Sequence, residues 1–302
     1  MLVDKIFAAF WLNTKRMDDK RIATLTPASG LKEVNDIYYL DDGHKYHQLD
    51  VYYPENTKET DTLPVIIDIH GGGWMYGDKE LNKYYCLELA SKGFVVFNMS
   101  YRLYPEADIQ MQLSDISFCL KWINENLDSF PCDKNNIYLT GDSAGGMLAA
   151  FTSMLSESEK MRKLFGTTDF SLRFNAVGLT SPVPRMNGDF PMNYYTKKML
   201  GKNYESKPWA SYVNLEDILT LGKMPATFML TSSGDFLARS ETRLAAELYR
   251  REGIDCQLMD FEKFNGKDLP HVFPVIYPQN EESQRAIDEM LRFFKKYEKV
   301  TA

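Results

Sequence analysis

The sequence predicts an α/β fold with a mostly parallel central sheet covered by helices on both faces. Three observations carry that prediction. Compact β-branched runs recur along the chain, for instance Val65-Ile66-Ile67-Asp68-Ile69, Phe94-Val95-Val96-Phe97 and Ile137-Tyr138-Leu139-Thr140. Between them lie stretches with apolar residues three and four apart, the helical period. Runs that are apolar on both faces suit strands buried between helices rather than strands with one wet side. The composition agrees with a globular chain: 302 residues, 44% hydrophobic and 25% charged. That excludes a largely disordered protein, and the length suffices for one large α/β domain.

The elements follow in order. Ile6 to Leu12 is too short and too closely flanked by charge for an export signal, and is expected to be an amphipathic helix packed on the body or over the site. Asp36–Leu40 and Gln48–Tyr53 flank Asp42-Gly43, a hairpin turn signal, and add an antiparallel edge. Strands are expected at 65–69 and 94–99. Apolar residues at Ile109, Leu113, Ile116, Leu120, Ile123 and Leu127 then mark a long helix. A strand at 137–140 leads through a glycine-flanked turn into a helix with Leu148, Phe151 and Leu155 on one face. Further strands are expected at 176–179, 226–231 and 256–261. Helices are expected around Leu244 and Leu248 and around Ile287, Met290, Leu291 and Phe294. Residues 184–221 lack clear periodicity and carry Phe190, Met192, Tyr194, Tyr195 and Trp209, which reads as an insertion.

Charge and cysteine usage narrow the partners. Thirty-five basic against 42 acidic residues give a net charge of −7, so no basic nucleic-acid-binding stripe is expected. Cys86, Cys119, Cys132 and Cys256 form no CxxC pair and read as free thiols in a reducing, cytoplasmic compartment. No run approaches the ~18 apolar residues of a membrane span. His44 and His47 have metal-like spacing, but no third ligand pattern accompanies them, so they are expected to be surface histidines. No motif requires a metal or cofactor.

Two motifs carry chemistry. Gly141-Asp142-Ser143-Ala144-Gly145 fits G-x-S-x-G between a strand and a helix, a turn that forces the serine side chain out of the backbone. His70-Gly71-Gly72-Gly73-Trp74 follows a strand directly, and its glycines let backbone N–H groups approach a substrate. With the N–H of Ala144, Gly72 and Gly73 are the expected donors to an oxyanion, on a loop shaped by His70 and Gly71. A serine needs a base. His271 follows the strand at 256–261, and Asp235 ends the strand at 226–231, so the order Ser143, Asp235, His271 is that of a Ser…Asp…His triad. Asp260, Glu262 and Asp268 are rival carboxylates, and Asp142 reads as scaffold.

These motifs resemble the hormone-sensitive-lipase-like esterases of the α/β-hydrolase superfamily. The likeness runs from about Leu49 to Phe294 and includes Leu49-Asp50-Val51-Tyr52-Tyr53-Pro54 and Tyr101-Arg102-Leu103-Tyr104-Pro105-Glu106. It implies one α/β-hydrolase domain over 1–302, with helical cap elements from about 1–35 and 184–221. It further implies a serine carboxylesterase acting on a small-molecule ester, as a monomer or homodimer without stable membrane insertion. Trp74, Tyr76 and Met147 flank the motifs and are the expected substrate contacts. A peptidase or amidase on the same fold, or a non-catalytic binding protein, are the alternative readings.

Overall fold

The computed structural model describes residues 2–186 and 192–300, with side chains from 6 to 186 and from 194 to 300. Phe190 and the side chain of Met192 therefore lie outside the described residues. Eight strands form one sheet in the order β1-β2-β4-β3-β5-β6-β7-β8. They are β1 (Leu31–Tyr38), β2 (Gln48–Pro54), β3 (Leu63–Ile69), β4 (Val95–Met99), β5 (Cys132–Asp142), β6 (Ala176–Thr180), β7 (Ala226–Ser232) and β8 (Cys256–Phe261). β1 and β2 pair antiparallel, as do β2 and β4, and every pairing from β4 through β3 to β8 is parallel. This is the expected fold class.

The helices are α1 (Leu2–Ile22), α2 (Lys79–Ser91), α3 (Ile109–Asn126), α4 (Ser143–Glu157), α5 (Glu159–Phe165), α6 (Met192–Met199), α7 (Leu215–Ile218), α8 (Arg239–Arg251), α9 (Phe273–Ile276) and α10 (Glu281–Lys295). All residues of β4 and β6 are buried, as two-sided coverage requires. One core lies under α3 and α4, built on Val65, Ile67, Phe97, Leu113 and Phe151. The other lies under α2 and α10, built on Ile66, Tyr138, Phe228 and Phe294. α3 begins at its N-cap Asp108, whose carboxylate accepts the Met111 N–H at 3.0 Å.

The structure corrects three expectations. The hairpin arm starts at Leu31 rather than Asp36, because a register irregularity between Val34 and Ile37 places Asp36 at φ 60° with its N–H on Asp50 Oδ1 at 2.8 Å. The N-terminal cap boundary at 35 thus falls inside a sheet strand. His47 is not a surface residue: it is 3% exposed, its Nδ1 lies 2.7 Å from Asp42 Oδ2, and Tyr39 packs against its ring. The β1–β2 loop folds back onto the sheet end, which its polar sequence did not signal. The second half of the 184–221 insertion joins the body. Trp209 is fully buried and stacks on Phe165 of α5 at 5.5 Å, and the Leu221 carbonyl accepts from Ser158 Oγ at 2.8 Å.

Candidate active site

The parallel strands deliver the motifs to one edge. β3 ends at Ile69, level with Gly141 near the end of β5, so the loop at 70–77 begins beside the turn at 142–143. A parallel bridge between Gly234 and Pro270 brings the segments after β7 and β8 together. Ligands in open α/β sheets bind at this carboxyl edge.

Ser143 stands where β5 passes into α4, at φ 51°, a left-handed conformation rare for a residue with a side chain. Strain of this kind costs about 1–3 kcal/mol and persists where its surroundings fix it. Gly145 fixes it here: a Cβ at that position would lie 2.1 Å from the Ile69 carbonyl oxygen, so only glycine lets α4 start this close to β3. The N–H of Ala144 belongs to the first turn of α4, whose donors have no intrahelical partner.

His271 Nε2 lies 2.9 Å from Ser143 Oγ, and His271 Nδ1 lies 2.8 Å from Asp235 Oδ1. Asp235 is 1% exposed and accepts further bonds from Ala238 N–H at 2.9 Å, Leu237 N–H at 3.2 Å and the Thr231 hydroxyl at 3.1 Å. Burial pushes its carboxyl pKa up, but the bond and charge of His271, with Ser181 and Ala238, outweigh this and hold it below the ordinary value. The rival carboxylates are engaged elsewhere. Asp260 and Glu262 pair with Arg239 at 3.0 and 2.8 Å, and Asp268 accepts the Ser233 hydroxyl at 2.6 Å.

The glycine loop is aimed through its carbonyls. Burial lowers the His70 pKa to about 4, so the ring is neutral at pH 7. Its Nδ1–H donates to the Gly71 carbonyl at 2.7 Å, and Tyr101 stacks on it at 4.4 Å. In a planar trans peptide the N–H points opposite to the carbonyl, so fixing the Gly71 oxygen fixes the direction of the Gly72 N–H. The Gly72 carbonyl likewise accepts from Met75 N–H at 3.2 Å and Tyr76 N–H at 3.0 Å, which fixes the Gly73 N–H. Gly72 has φ 103°, and a Cβ there would meet the Tyr76 carbonyl oxygen at 1.9 Å.

Beneath the loop lies a polar network that sequence reasoning missed. Asn82 of α2 donates from Nδ2 to Asp68 Oδ2 and to Asp142 Oδ1, both at 2.8 Å. Asp142 Oδ1 also accepts the Gly71 N–H at 2.9 Å. Burial, and then the neighbouring Asp68, raise the Asp142 pKa to about 6, and burial raises that of Asp68 as well. The Asp142 carboxylate thus bonds to Gly71 and Asn82 rather than to Ser143 and ties the two motifs together.

Ser143, Ala144, Gly72, Gly73 and His271 open into a cleft of about 450 Å³. Phe7, Phe10, Trp11, Trp74, Tyr76, Val183, Tyr195, Leu237 and Val275 line it, with Asp18 and Arg21 also on its wall. α1 and α6 thus contribute to the cover. Met147 is 2% exposed, packs in the core and does not line the cleft. Among the described residues no group of three histidine, cysteine, aspartate or glutamate side chains is disposed to hold a metal ion. No helix among them is long and apolar enough to cross a membrane.

A serine on a strand–helix turn, bonded to a histidine and through it to a buried aspartate at the carboxyl edge of this sheet, defines the α/β-hydrolase class. The comparisons with known proteins agree with that class, and the chain is similar to α/β-hydrolase esterases. A family model described as BD-FAE matches residues 49–184. Esterase B from Lactobacillus rhamnosis superposes with a TM-score of 0.89 at 29% identity, covering 98% of this chain and 94% of that one. Arylacetamide deacetylase from Bos taurus is 31% identical over 156 residues, which is 48% of this chain and 36% of the relative. Versiconal hemiacetal acetate esterase from Dothistroma septosporum is 35% identical over 127 residues, which is 42% of this chain and 36% of the relative. The matched stretch thus spans about a third of the length of these curated relatives.

Proposed function

We propose that this protein is a serine carboxylic-ester hydrolase acting on short-acyl or small aromatic esters through an acyl-enzyme. The observation that carries the reading is the hydrogen-bonded series Ser143–His271–Asp235 at the floor of an apolar cleft. Ser143 Oγ attacks the ester carbonyl while His271 Nε2 takes its proton. Asp235, accepting from Nδ1, holds the tautomer that leaves Nε2 free and stabilises the imidazolium. The N–H groups of Gly72, Gly73 and Ala144 receive the oxyanion. His271 returns its proton to the departing alcohol, and water repeats the sequence on the acyl-enzyme. One hydrolase domain carries this machinery, with α1 and α6 as its cap.

Short-acyl preference is supported by the small cleft and by Esterase B, which was captured with a C4–C4 tributyrin phosphonate in a structure matching this chain with a TM-score of 0.90 and 28% identity. The name arylacetamide deacetylase, borne by one relative, supports a second reading in which aryl amides are also deacylated. The test is hydrolysis of p-nitrophenyl esters from acetate to long acyl chains, beside the matching anilides, by the wild type and Ser143→Ala. The reading expects serine-dependent ester turnover peaking at short chains. Folded wild type without turnover on any ester contradicts it, and faster anilide than ester turnover favours the amidase reading.

A further inference from the structure

The glycine loop is held from two sides. Toward the body, Gly71 N–H donates to Asp142 at 2.9 Å, and the Trp74 carbonyl accepts from Tyr104 N–H and from Gln112 Nε2, each at 2.9 Å. Toward the cap, the Tyr195 hydroxyl of α6 donates to the Gly73 carbonyl. Trp11 of α1 borders the same face of Gly73. A Cβ on Gly73 would stand 2.4 Å from the Trp11 indole and 2.7 Å from the Tyr195 oxygen. Two cap segments far apart in sequence thus close on one residue of the loop. Tyr195 is 6% exposed, with its ring 4.8 Å from Phe7 and 6.4 Å from Trp74. The side chains that grip Gly73 are also walls of the cleft.

Resting on the esterase reading, we infer that Tyr195 is a positioning residue that couples the cap to the oxyanion loop. The Gly72 carbonyl bonds fix the peptide on one side of Gly73, and the Tyr195 bond fixes the peptide on the other. Gly73 sits at φ 57° and has no side chain to restrain it. Without the phenol that second anchor is lost, the segment around Gly73 is held through the Gly72 and Trp74 carbonyl bonds alone, and the Gly73 N–H spends more of its time off target. The acyl portion of a substrate, packed among Phe7, Trp11 and Tyr195, presses the cap elements onto the loop that must receive the oxyanion. Because those donors act on charge that develops in the transition state, the coupling bears on kcat rather than on KM.

The test is Tyr195→Phe, which keeps the ring packing and removes only the hydroxyl. Losing one neutral hydrogen bond corresponds to roughly a 3- to 10-fold change in population. The inference expects kcat on p-nitrophenyl butyrate to fall by about that factor, with KM within about twofold of wild type and a melting temperature lowered by no more than about 4 °C, so that the protein is fully folded at the assay temperature. The rate of phosphonylation by a butyl p-nitrophenyl phosphonate, which also builds negative oxygen in the hole, should fall in the same proportion. An unchanged kcat, a change confined to KM, or a loss that tracks a larger fall in melting temperature would overturn it. Ser143→Ala in parallel separates the levels. If that variant keeps wild-type turnover the esterase reading itself fails, whereas an inactive Ser143→Ala beside an unaltered Tyr195→Phe overturns only the coupling.

Discussion

The bonds around Asp235 set the outcome of Asp235→Asn. Oδ1, the oxygen facing His271, also accepts two backbone N–H groups, from Leu237 at 3.2 Å and Ala238 at 2.9 Å. Oδ2 faces the Thr231 hydroxyl at 3.1 Å, which can turn to accept. An asparagine has one acceptor atom and one donor group at these two places. The fixed backbone donors require the amide oxygen at the Oδ1 position, with the amino group toward Thr231. The oxygen then still accepts the Nδ1–H of His271, so Nε2 remains an acceptor for the Ser143 hydroxyl. The tautomer survives and only the negative charge is lost. Unit charges about 4 Å apart at an effective dielectric near 20 interact by about 4 kcal/mol, or roughly 10³ in kcat. An asparagine that inverted the tautomer would cost about 10⁴. The assay is kcat for p-nitrophenyl butyrate together with the imidazole ¹⁵N shifts of His271. A fall near 10³ with Nδ1 protonated is expected. A proton on Nε2 with a 10⁴ loss would refute the orientation argument, and an unchanged rate would remove Asp235 from the mechanism.

Three further outcomes follow from the same geometry. Gly71→Ala places a Cβ 2.4 Å from Asp142 Oδ2 and 2.8 Å from its backbone oxygen, so the loop must shift. Displacing an oxyanion donor lowers kcat by about 10²–10³, and unaltered kinetics would show that the loop does not receive the oxyanion. Asn82→Ala leaves Asp68 and Asp142 facing one another without their bridging amide, and is expected to destabilise by about 2 kcal/mol at pH 8. The raised Asp142 pKa of about 6 means that the folded protein holds a proton there that the unfolded chain has already released, so this group's contribution to stability falls as pH rises from about 4 to 6. At pH 5, about one unit below that folded-state pKa, Asp142 is already mostly protonated in both folded proteins, so urea unfolding should show a smaller difference there than at pH 8. An equal or larger difference at pH 5 would contradict the network. Trp11→Ala opens the cleft where Trp11 stacks on Tyr76 at 5.5 Å, and should move the preferred acyl chain to longer esters. An unmoved optimum would place the acyl chain elsewhere.

The sequence was most legible where local pattern and packing agree. The strands 65–69, 137–140 and 226–231 are β-branched or apolar runs because both sheet faces are covered, and they were readable for that reason. Ser143, Asp235 and His271 could be singled out because each follows a strand, and the structure brings them within hydrogen-bond distance. α2 was missed because its buried face includes Lys79, Asn82 and Glu88, polar residues that hide the helical period. Asn82 and Asp68 came into the site only through partners 60 and 14 residues from Asn82, which no spacing rule links. Tyr195 looked like one aromatic among several in an insertion. Its contact with Gly73 spans 122 residues and depends on how the cap folds over the loop. Trp209, from the same aromatic group, packs against α5 instead, and nothing in the sequence distinguishes the two. His47 was misplaced because burial of the β1–β2 loop comes from tertiary contacts with Asp42, Tyr39 and Asp115.

The central claim is that Ser143 forms the covalent intermediate. The most direct measurement is intact-protein and peptide mass spectrometry after stoichiometric treatment with a short-chain p-nitrophenyl phosphonate, alongside residual esterase activity. The account predicts one phosphonyl group per chain, located on Ser143, with activity lost in proportion to labelling and no adduct on Ser143→Ala. An adduct on another residue, or Ser143→Ala hydrolysing esters at close to the wild-type rate, would contradict it.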